Sequence, residues 1–142
     1  MITRELLYKR ALRALSYGDH TPQGLYFKLI SVEGADHGDA KEVIRQLHRE
    51  GFIDEKRYYQ NLLEEGKRKL WGRRKFESEL KKRRFNEKYL AAFKAEEIDW
   101  LSMARELVRG ESDAPRAYRK LISKGYDPQV ASSAISPNSG ED

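Results

Sequence analysis

Apolar side chains recur at intervals of three and four residues along most of this chain. Examples are Leu7, Ala11 and Ala14 near the start, and Val43 and Leu47 further on. This spacing places apolar residues on one face of an α-helix, and no stretch alternates with the period of two typical of a β-strand. The pattern therefore predicts an all-α protein with helices at roughly 3–17, 22–33, 40–50, 55–70, 73–84, 87–95, 100–110, 114–124 and 128–135.

Residues suited to capping mark where most of these helices begin and end. Thr21-Pro22 and Asp127-Pro128 each put a capping side chain before a proline, whose missing N–H costs nothing in the first turn. Asp39, with Glu42 three residues later, has the spacing of a capping box. Further caps and glycine stops are expected at Asp54, Asn86, Asp99 and Asp113, and at Gly51, Gly110 and Gly125.

One pattern occurs in residues 76–89 and again in 117–130, and more faintly a third time from Leu25 onward. It consists of an apolar anchor, a basic helix end, an aromatic residue, a capping residue and a second helix. Aligning Leu80 with Leu121 brings the copies at 76–89 and 117–130 into register. A period of about 40 residues is typical of stacked helical units, none of which covers its own apolar face alone.

The predicted architecture is therefore a set of three tandem three-helix repeats that form an elongated, curved body. We expect the repeats at residues 3–52, 53–97 and 98–136, with the second repeat the basic one, and a disordered tail at 137–142. Each repeat needs a small core of its own. In the middle repeat that core is expected to comprise Leu62, Leu63, Phe76, Leu80, Phe85, Tyr89 and Phe93.

Positive charge is concentrated in one stretch, which we call the basic segment, residues 67–84. The whole chain carries a formal net charge of +5, yet this segment holds ten basic and two acidic residues, so the remainder is net negative. Such a concentration favours an anionic contact, either a phosphate backbone or an acidic protein surface, over a merely solvated helix face. The ten candidate binding residues are Lys67, Arg68, Lys69, Arg73, Arg74, Lys75, Lys81, Lys82, Arg83 and Arg84.

On the helix at 73–84, Phe76 and Leu80 are expected to face the core. That orientation leaves most of the cations pointing outward, among them Arg73, Arg74, Lys75, Lys81, Lys82 and Arg84. Two of the charges have favourably oriented partners four residues away, in the pairs Glu77–Lys81 and Glu79–Arg83.

Two aromatic residues, Trp71 and Tyr89, lie in or near the basic segment and are candidates for stacking on nucleic-acid bases. For Tyr89 a core position is favoured, and for Trp71 the two interpretations stay open. Trp100 stands at the start of a predicted repeat, where packing between repeats is expected. No zinc-finger spacing or RNA-recognition motif points to base-specific readout.

Other chemistry finds little support in the sequence. The chain has no Cys, and its histidines, His20, His37 and His48, lack the spacing of a helical metal site. Asp36-His37-Gly38-Asp39 could hold a cation, but a capped surface loop is favoured. There is no phosphate-binding glycine loop and no nucleophile elbow. We therefore expect no enzyme activity, no cofactor and no metal. No apolar run approaches the roughly 20 residues needed to cross a bilayer, so a cytoplasmic protein is expected.

Several stretches resemble the RecX family, the bacterial modulators of the RecA recombinase. The likeness covers about residues 5–135, and its most specific part is Leu47-His48-Arg49-Glu50-Gly51-Phe52-Ile53-Asp54-Glu55-Lys56-Arg57-Tyr58. It also includes Ala11-Leu12-Arg13-Ala14-Leu15, Thr21-Pro22-Gln23-Gly24-Leu25, Lys28-Leu29, Gly72, Phe76, Leu80, Asp99-Trp100 and Ala104.

The chain departs from the family pattern at three positions. Gly24 stands where Glu is usual, Glu55 replaces a second Asp, and Arg84 replaces a Gly before an aromatic residue. Arg84 is the consequential one, because a left-handed helix end suits Gly and strains other residues.

The resemblance implies a non-enzymatic, cytoplasmic regulator that binds RecA filaments on single-stranded DNA. Such proteins restrain the ATPase, strand exchange and co-protease activity of RecA, and so dampen recombination, DNA repair and the SOS response. The protein is then expected to act as a monomer and to contact DNA phosphates secondarily; whether it lines the filament groove or caps filament ends stays open. The alternative is a stand-alone module that binds DNA or RNA through the basic segment without a recombinase partner.

Overall fold

The computed structural model describes residues 2–136, and within that range the chain forms nine α-helices and no strand. This confirms the all-α prediction, and every predicted helix is present. The predicted tail at 137–142 lies outside the described residues. The helices are α1 (Arg4–Tyr17), α2 (Pro22–Ile30), α3 (His37–Arg49), α4 (Glu55–Arg68), α5 (Arg73–Lys82), α6 (Glu87–Lys94), α7 (Trp100–Leu107), α8 (Ala114–Ser123) and α9 (Pro128–Ile135).

Most of the predicted caps are present, but the cap of α3 was placed wrongly. This helix begins about one turn earlier than expected, because its N-cap is Asp36 and not Asp39. The carboxylate of Asp36 accepts the backbone N–H of Asp39 at 2.9 Å. Asp127 is a second correction, since its side chain makes no capping hydrogen bond to α9. The caps that the structure confirms are those of Thr21, Asp54, Asn86, Asp99 and Asp113.

Left-handed residues end several of the helices. Gly51, Gly110 and Gly125 have φ angles of 79°, 83° and 96°, as expected of glycine stops. Two residues with side chains, Leu70 and Arg84, share the conformation, each with φ of 58°. The strain expected at Arg84 is therefore present, because a Cβ at positive φ crowds the backbone.

By its internal contacts the chain divides into two compact units. The first unit contains the residues up to Asn61 together with Lys82–Tyr89. The second unit contains Leu62–Lys81 together with the residues from Leu90 onward. The division into three repeats stays a prediction.

In the first unit, α1, α2 and α3 contact one another around a common apolar core. Leu7, Leu25, Val43 and Leu47 are fully buried there, and Thr21 is the buried polar residue beside them. A second cluster is aromatic. The buried ring of Phe85 lies 4.9 Å from Tyr58 and 6.3 Å from Tyr59, centroid to centroid, and half-buried Tyr89 lies against both Tyr59 and Phe85.

In the second unit, α9 packs on both α7 and α8, and Leu121, Tyr126 and Ala131 fill the space between them. Phe76 of α5 is fully buried in an aromatic cluster with Trp71, Phe93 and Trp100. Of the seven expected core residues of the middle region, all are buried except Tyr89, which is half-buried.

Candidate anion-binding surface

The turn between α4 and α5, where the basic segment bends, is docked by backbone contacts within the second unit. The N–H of Gly72 donates to the carbonyl of Lys124 and the N–H of Arg74 donates to that of Gly125, each at 2.9 Å. A Cβ on Gly72 would lie 2.3 Å from backbone atoms of Gly125 and Tyr126, so this approach requires glycine. Backbone hydrogen bonds alone therefore hold this turn in place.

A side chain from the turn between α8 and α9 adds to these backbone contacts. The Tyr126 hydroxyl donates to the carbonyl of Leu70 at 2.9 Å. Burial raises the pKa of Tyr126 to about 12, so the hydroxyl stays a donor at neutral pH. This hydrogen bond helps to hold Leu70 in its left-handed conformation.

Arg73 and Arg74 are engaged within the second unit by Asp127. The Nε of Arg73 donates to one carboxylate oxygen at 2.9 Å and its terminal nitrogen to the other at 2.5 Å, while the Nε of Arg74 reaches the carboxylate at 2.9 Å. Arg73 also donates to Glu77 at 2.8 Å. Hydrogen bonds from Arg73, followed by its charge and by Arg74, lower the pKa of Asp127. The Arg73 side chain is still 38% exposed, as expected of a residue on the outer face, but its charge is paired with Asp127 and Glu77.

Other cations of the segment are also partly engaged. Lys75 is half-buried, with its ammonium 5.2 Å from the centre of the Trp71 ring, so it is less exposed than expected. The ammonium of Lys69 lies 3.6 Å from a carboxylate oxygen of Glu65. Because Lys69 is exposed, this ion pair contributes little to stability.

Arg83 and Arg84 belong to the first unit and have partners there. Arg83 donates to the Tyr58 hydroxyl at 3.0 Å, and its own carbonyl accepts the Thr21 hydroxyl at 2.6 Å. The exposed guanidinium of Arg84 stacks over the Phe27 ring, 4.0 Å from its centre. Both arginines therefore have structural contacts in addition to their charge.

Four cations remain exposed and have no ion-pair or hydrogen-bond partner among residues 2–136: Lys67, Arg68, Lys81 and Lys82. The expected pair of Glu77 with Lys81 is wrong, because Glu77 is taken by Arg73 instead. The pair of Glu79 with Arg83 stays a prediction. Of the ten candidate residues, these four are the best placed to meet an anion.

The aromatic residues Trp71, Tyr89 and Trp100 all pack against other aromatic side chains. Trp71 is only 4% exposed and lies against Phe76, which settles its two readings in favour of the core. Trp100 packs on Phe76 and Phe93, and Tyr89 on Tyr59 and Phe85. Base stacking by Trp71 would require local unfolding, whereas Tyr89 and Trp100 are partly exposed.

The two aspartates of the Asp36–Asp39 turn have structural roles. In the Asp36–Asp39 turn, Asp36 caps α3 and Asp39 accepts a hydrogen bond from the Nε of Arg4 at 3.1 Å. Within residues 2–136 no cluster of three potential metal ligands is found. Burial, reinforced by the charge of Lys28, lowers the pKa of His20. In the same range no helix is both long and apolar enough to cross a bilayer.

Several known proteins are similar to this chain in sequence or in fold. The "Regulatory protein RecX" chains of Shigella dysenteriae and Cronobacter sakazakii are each 27% identical to this chain, and that of Salmonella agona is 28% identical, with 84% of each chain covered. The crystal structure of RecX from Lactobacillus salivarius matches with a TM-score of 0.71 at 19% identity, over 93% of this chain and 94% of that one. No family model matches. The resemblance seen in the motifs is thereby confirmed.

Proposed function

We propose that this chain, whose sequence and fold are similar to those of RecX regulatory proteins, regulates RecA filaments on single-stranded DNA. The observation that carries the proposal is the similarity itself, which extends over 84% of the chain in sequence and 93% in fold. The action is inhibitory: the protein restrains RecA ATPase, strand exchange and co-protease activity. It works by binding as a cytoplasmic monomer, without catalysis and without a cofactor.

The proposed contact surface is the basic segment, with Lys67, Arg68, Lys81 and Lys82 as the direct contacts. Because these four side chains are exposed and lack an internal partner, binding an anion costs them no existing ion pair. Binding of these cations to DNA phosphates would release counterions, and binding to acidic side chains of the filament protein would form ion pairs. The other six cations of the segment add to its positive charge, and all of them except Lys69 also make contacts that support the unit to which they belong.

The test is the single-strand-dependent ATPase of RecA, measured with increasing amounts of this protein. Charge reversal at Lys67, Arg68, Lys81 and Lys82 to Glu should raise the concentration needed for half-inhibition about tenfold or more. The matched control reverses four other exposed cations without side-chain ion pairs: Lys56, Lys94, Arg116 and Arg119.

Both variants change the net charge equally. A difference in inhibition between them therefore shows that the positions of the four reversed cations matter, and not only their number. The control should inhibit as the parent does. If the test variant inhibits as well as its control, the four cations have no part in binding. If the parent leaves RecA activity unchanged, the regulatory proposal itself fails.

A second candidate function is supported by the same four cations, which suit a phosphate backbone as well as a protein. In that case the chain is a nucleic-acid-binding module without a recombinase partner. Its affinity for single strands would then fall with salt by a log–log slope of about −0.7 for each phosphate neutralised. RecA activity would change only when the protein is concentrated enough to coat naked DNA.

A further inference from the structure

A groove of about 560 Å³ runs between α1 and α2 of the first unit. Its floor is formed by apolar side chains, including buried Leu25 and Leu29. At its edges stand Leu6 and Tyr17, which are 39% and 79% exposed and are two of the five exposed large hydrophobic residues of the described chain. Apolar surface that is left uncovered in this way is typical of a binding site.

The charged residues that line this groove are all basic. Lys9, Arg10, Arg13 and Lys28 line it, and no acidic residue does. Lys9 lies 3.5 Å from Glu5, but both side chains are more than two-thirds exposed, so that pair is weak. Arg10, Arg13 and Lys28 have no side-chain ion pair or hydrogen bond among the described residues. A ligand therefore meets uncompensated positive charge on both sides of an apolar floor.

The dimensions of the groove fit a helix. Along α1 the lining residues extend from Leu6 to Tyr17, about three turns or 17 Å at the rise of an α-helix. Along α2 they lie at Leu25, Lys28 and Leu29, which share one face, and Val32 follows just after the helix ends. α3 contacts both α1 and α2 but lines no part of the groove. This side of the helix pair is thus open to a further helix.

We propose that this groove binds an acidic amphipathic helix of a partner protein. The apolar face of that helix, with Leu, Ile or Phe at positions i, i+3, i+4 and i+7, covers the floor of the groove. Asp and Glu side chains on its two flanks pair with the basic rim, and this complementarity selects acidic partners over neutral or basic ones. The proposal does not depend on RecA or on the basic segment.

Single-stranded nucleic acid is a poorer occupant of the groove. Its phosphates would find the rim, but its bases would meet an aliphatic floor in which Tyr17 is the aromatic residue. Nucleic-acid grooves use several aromatic side chains, on which successive bases stack. The floor is explained better by aliphatic side chains of a helix.

The test uses the full chain and a fluorescein-labelled peptide of about four helical turns, with Leu at the four anchor positions and Glu on both flanks. Two further peptides serve as controls. One has the same composition with its leucines scattered around the helix, and the other carries Lys in place of Glu. Fluorescence anisotropy should show saturable binding of the first peptide and binding at least about tenfold weaker for the other two.

Variants then locate the binding site. The double variant Arg10→Glu/Arg13→Glu should weaken binding about tenfold, whereas Arg116→Glu/Arg119→Glu, with the same spacing on α8, should leave it within about twofold. Tyr17→Ser removes an anchor whose side chain is mostly exposed, so it should weaken binding while the melting curve stays unchanged.

Equal binding of the amphipathic and scattered peptides would overturn the proposal, because the floor would then play no part. So would equal loss in the two double variants, or complete displacement of the peptide by an equimolar single-stranded oligonucleotide. None of these outcomes bears on the RecA assay, in which α1 and α2 are left unchanged.

Discussion

The carboxylate of Asp127 accepts three hydrogen bonds from Arg73 and Arg74 and thereby removes both arginines from the freely exposed charge of the basic segment. Sequence spacing could not reveal this, because Asp127 lies more than 50 residues away and precedes a proline, where a helix cap is the local expectation. A bidentate arginine–carboxylate contact outweighs a single capping bond, since both partners are charged. A basic residue on a helix face is thus not necessarily available to bind a partner, because it can already be paired within the protein.

The pH dependence of stability should report this contact. Since the arginines lower the pKa of Asp127 below its ordinary value of 3.8, the contact contributes stability above that pH and loses it as pH falls through the lowered pKa. We therefore expect Asp127→Asn to be less stable than the parent at pH 7, with the difference shrinking toward pH 2. Urea unfolding at a series of pH values measures it. A difference that stays constant with pH would contradict the assigned contact.

Gly72 offers a second test at a single position. In Gly72→Ala the new methyl group would meet backbone atoms at 2.3 Å, so the two docked turns must separate. We expect the free energy of unfolding to fall by about 2–3 kcal/mol or more. Gly18→Ala is the control, since nothing lies within 4 Å of a Cβ there. Chemical denaturation compares the two variants, and equal stability would show that the turns are not held this closely.

Among the secondary-structure elements, the helices are the part that the sequence predicts best. Periodicity and capping residues located all nine, and the ends fell within a few residues because Gly51 and Gly125 stop helices locally. The error at α3 arose from two aspartates three residues apart, each able to cap. Leu70 was not expected at a left-handed position, since nothing in its own side chain signals one.

The helix end at Arg84 should show the strain of its left-handed backbone directly. Arg84→Ala loses the stacking on Phe27 and keeps the strain, whereas Arg84→Gly loses the same stacking and relieves it. We therefore expect the Gly variant to be more stable than the Ala variant by about 1 kcal/mol. Thermal and urea unfolding of the pair measure this difference. An Ala variant as stable as the Gly variant would mean that the turn relaxes out of its positive φ.

At the level of the whole molecule, composition and repetition indicated a helical protein with concentrated positive charge, and both features are present. Which cations are free was beyond the sequence, because that depends on contacts between residues distant along the chain. The groove between α1 and α2 was missed for the same reason. Its signal lay in the first helix, where Leu6 and Tyr17 extend the apolar face among the basic residues Lys9, Arg10 and Arg13.

The central property proposed for this protein is that it recognises a RecA filament and not bare DNA. Labelled protein titrated with single-stranded DNA, either naked or coated with RecA, tests this claim by anisotropy at physiological salt. We predict saturable binding to the coated strand at protein concentrations at which the naked strand binds little. Equal affinity for both, with the same dependence on salt, would contradict the account and leave a nucleic-acid-binding module in its place.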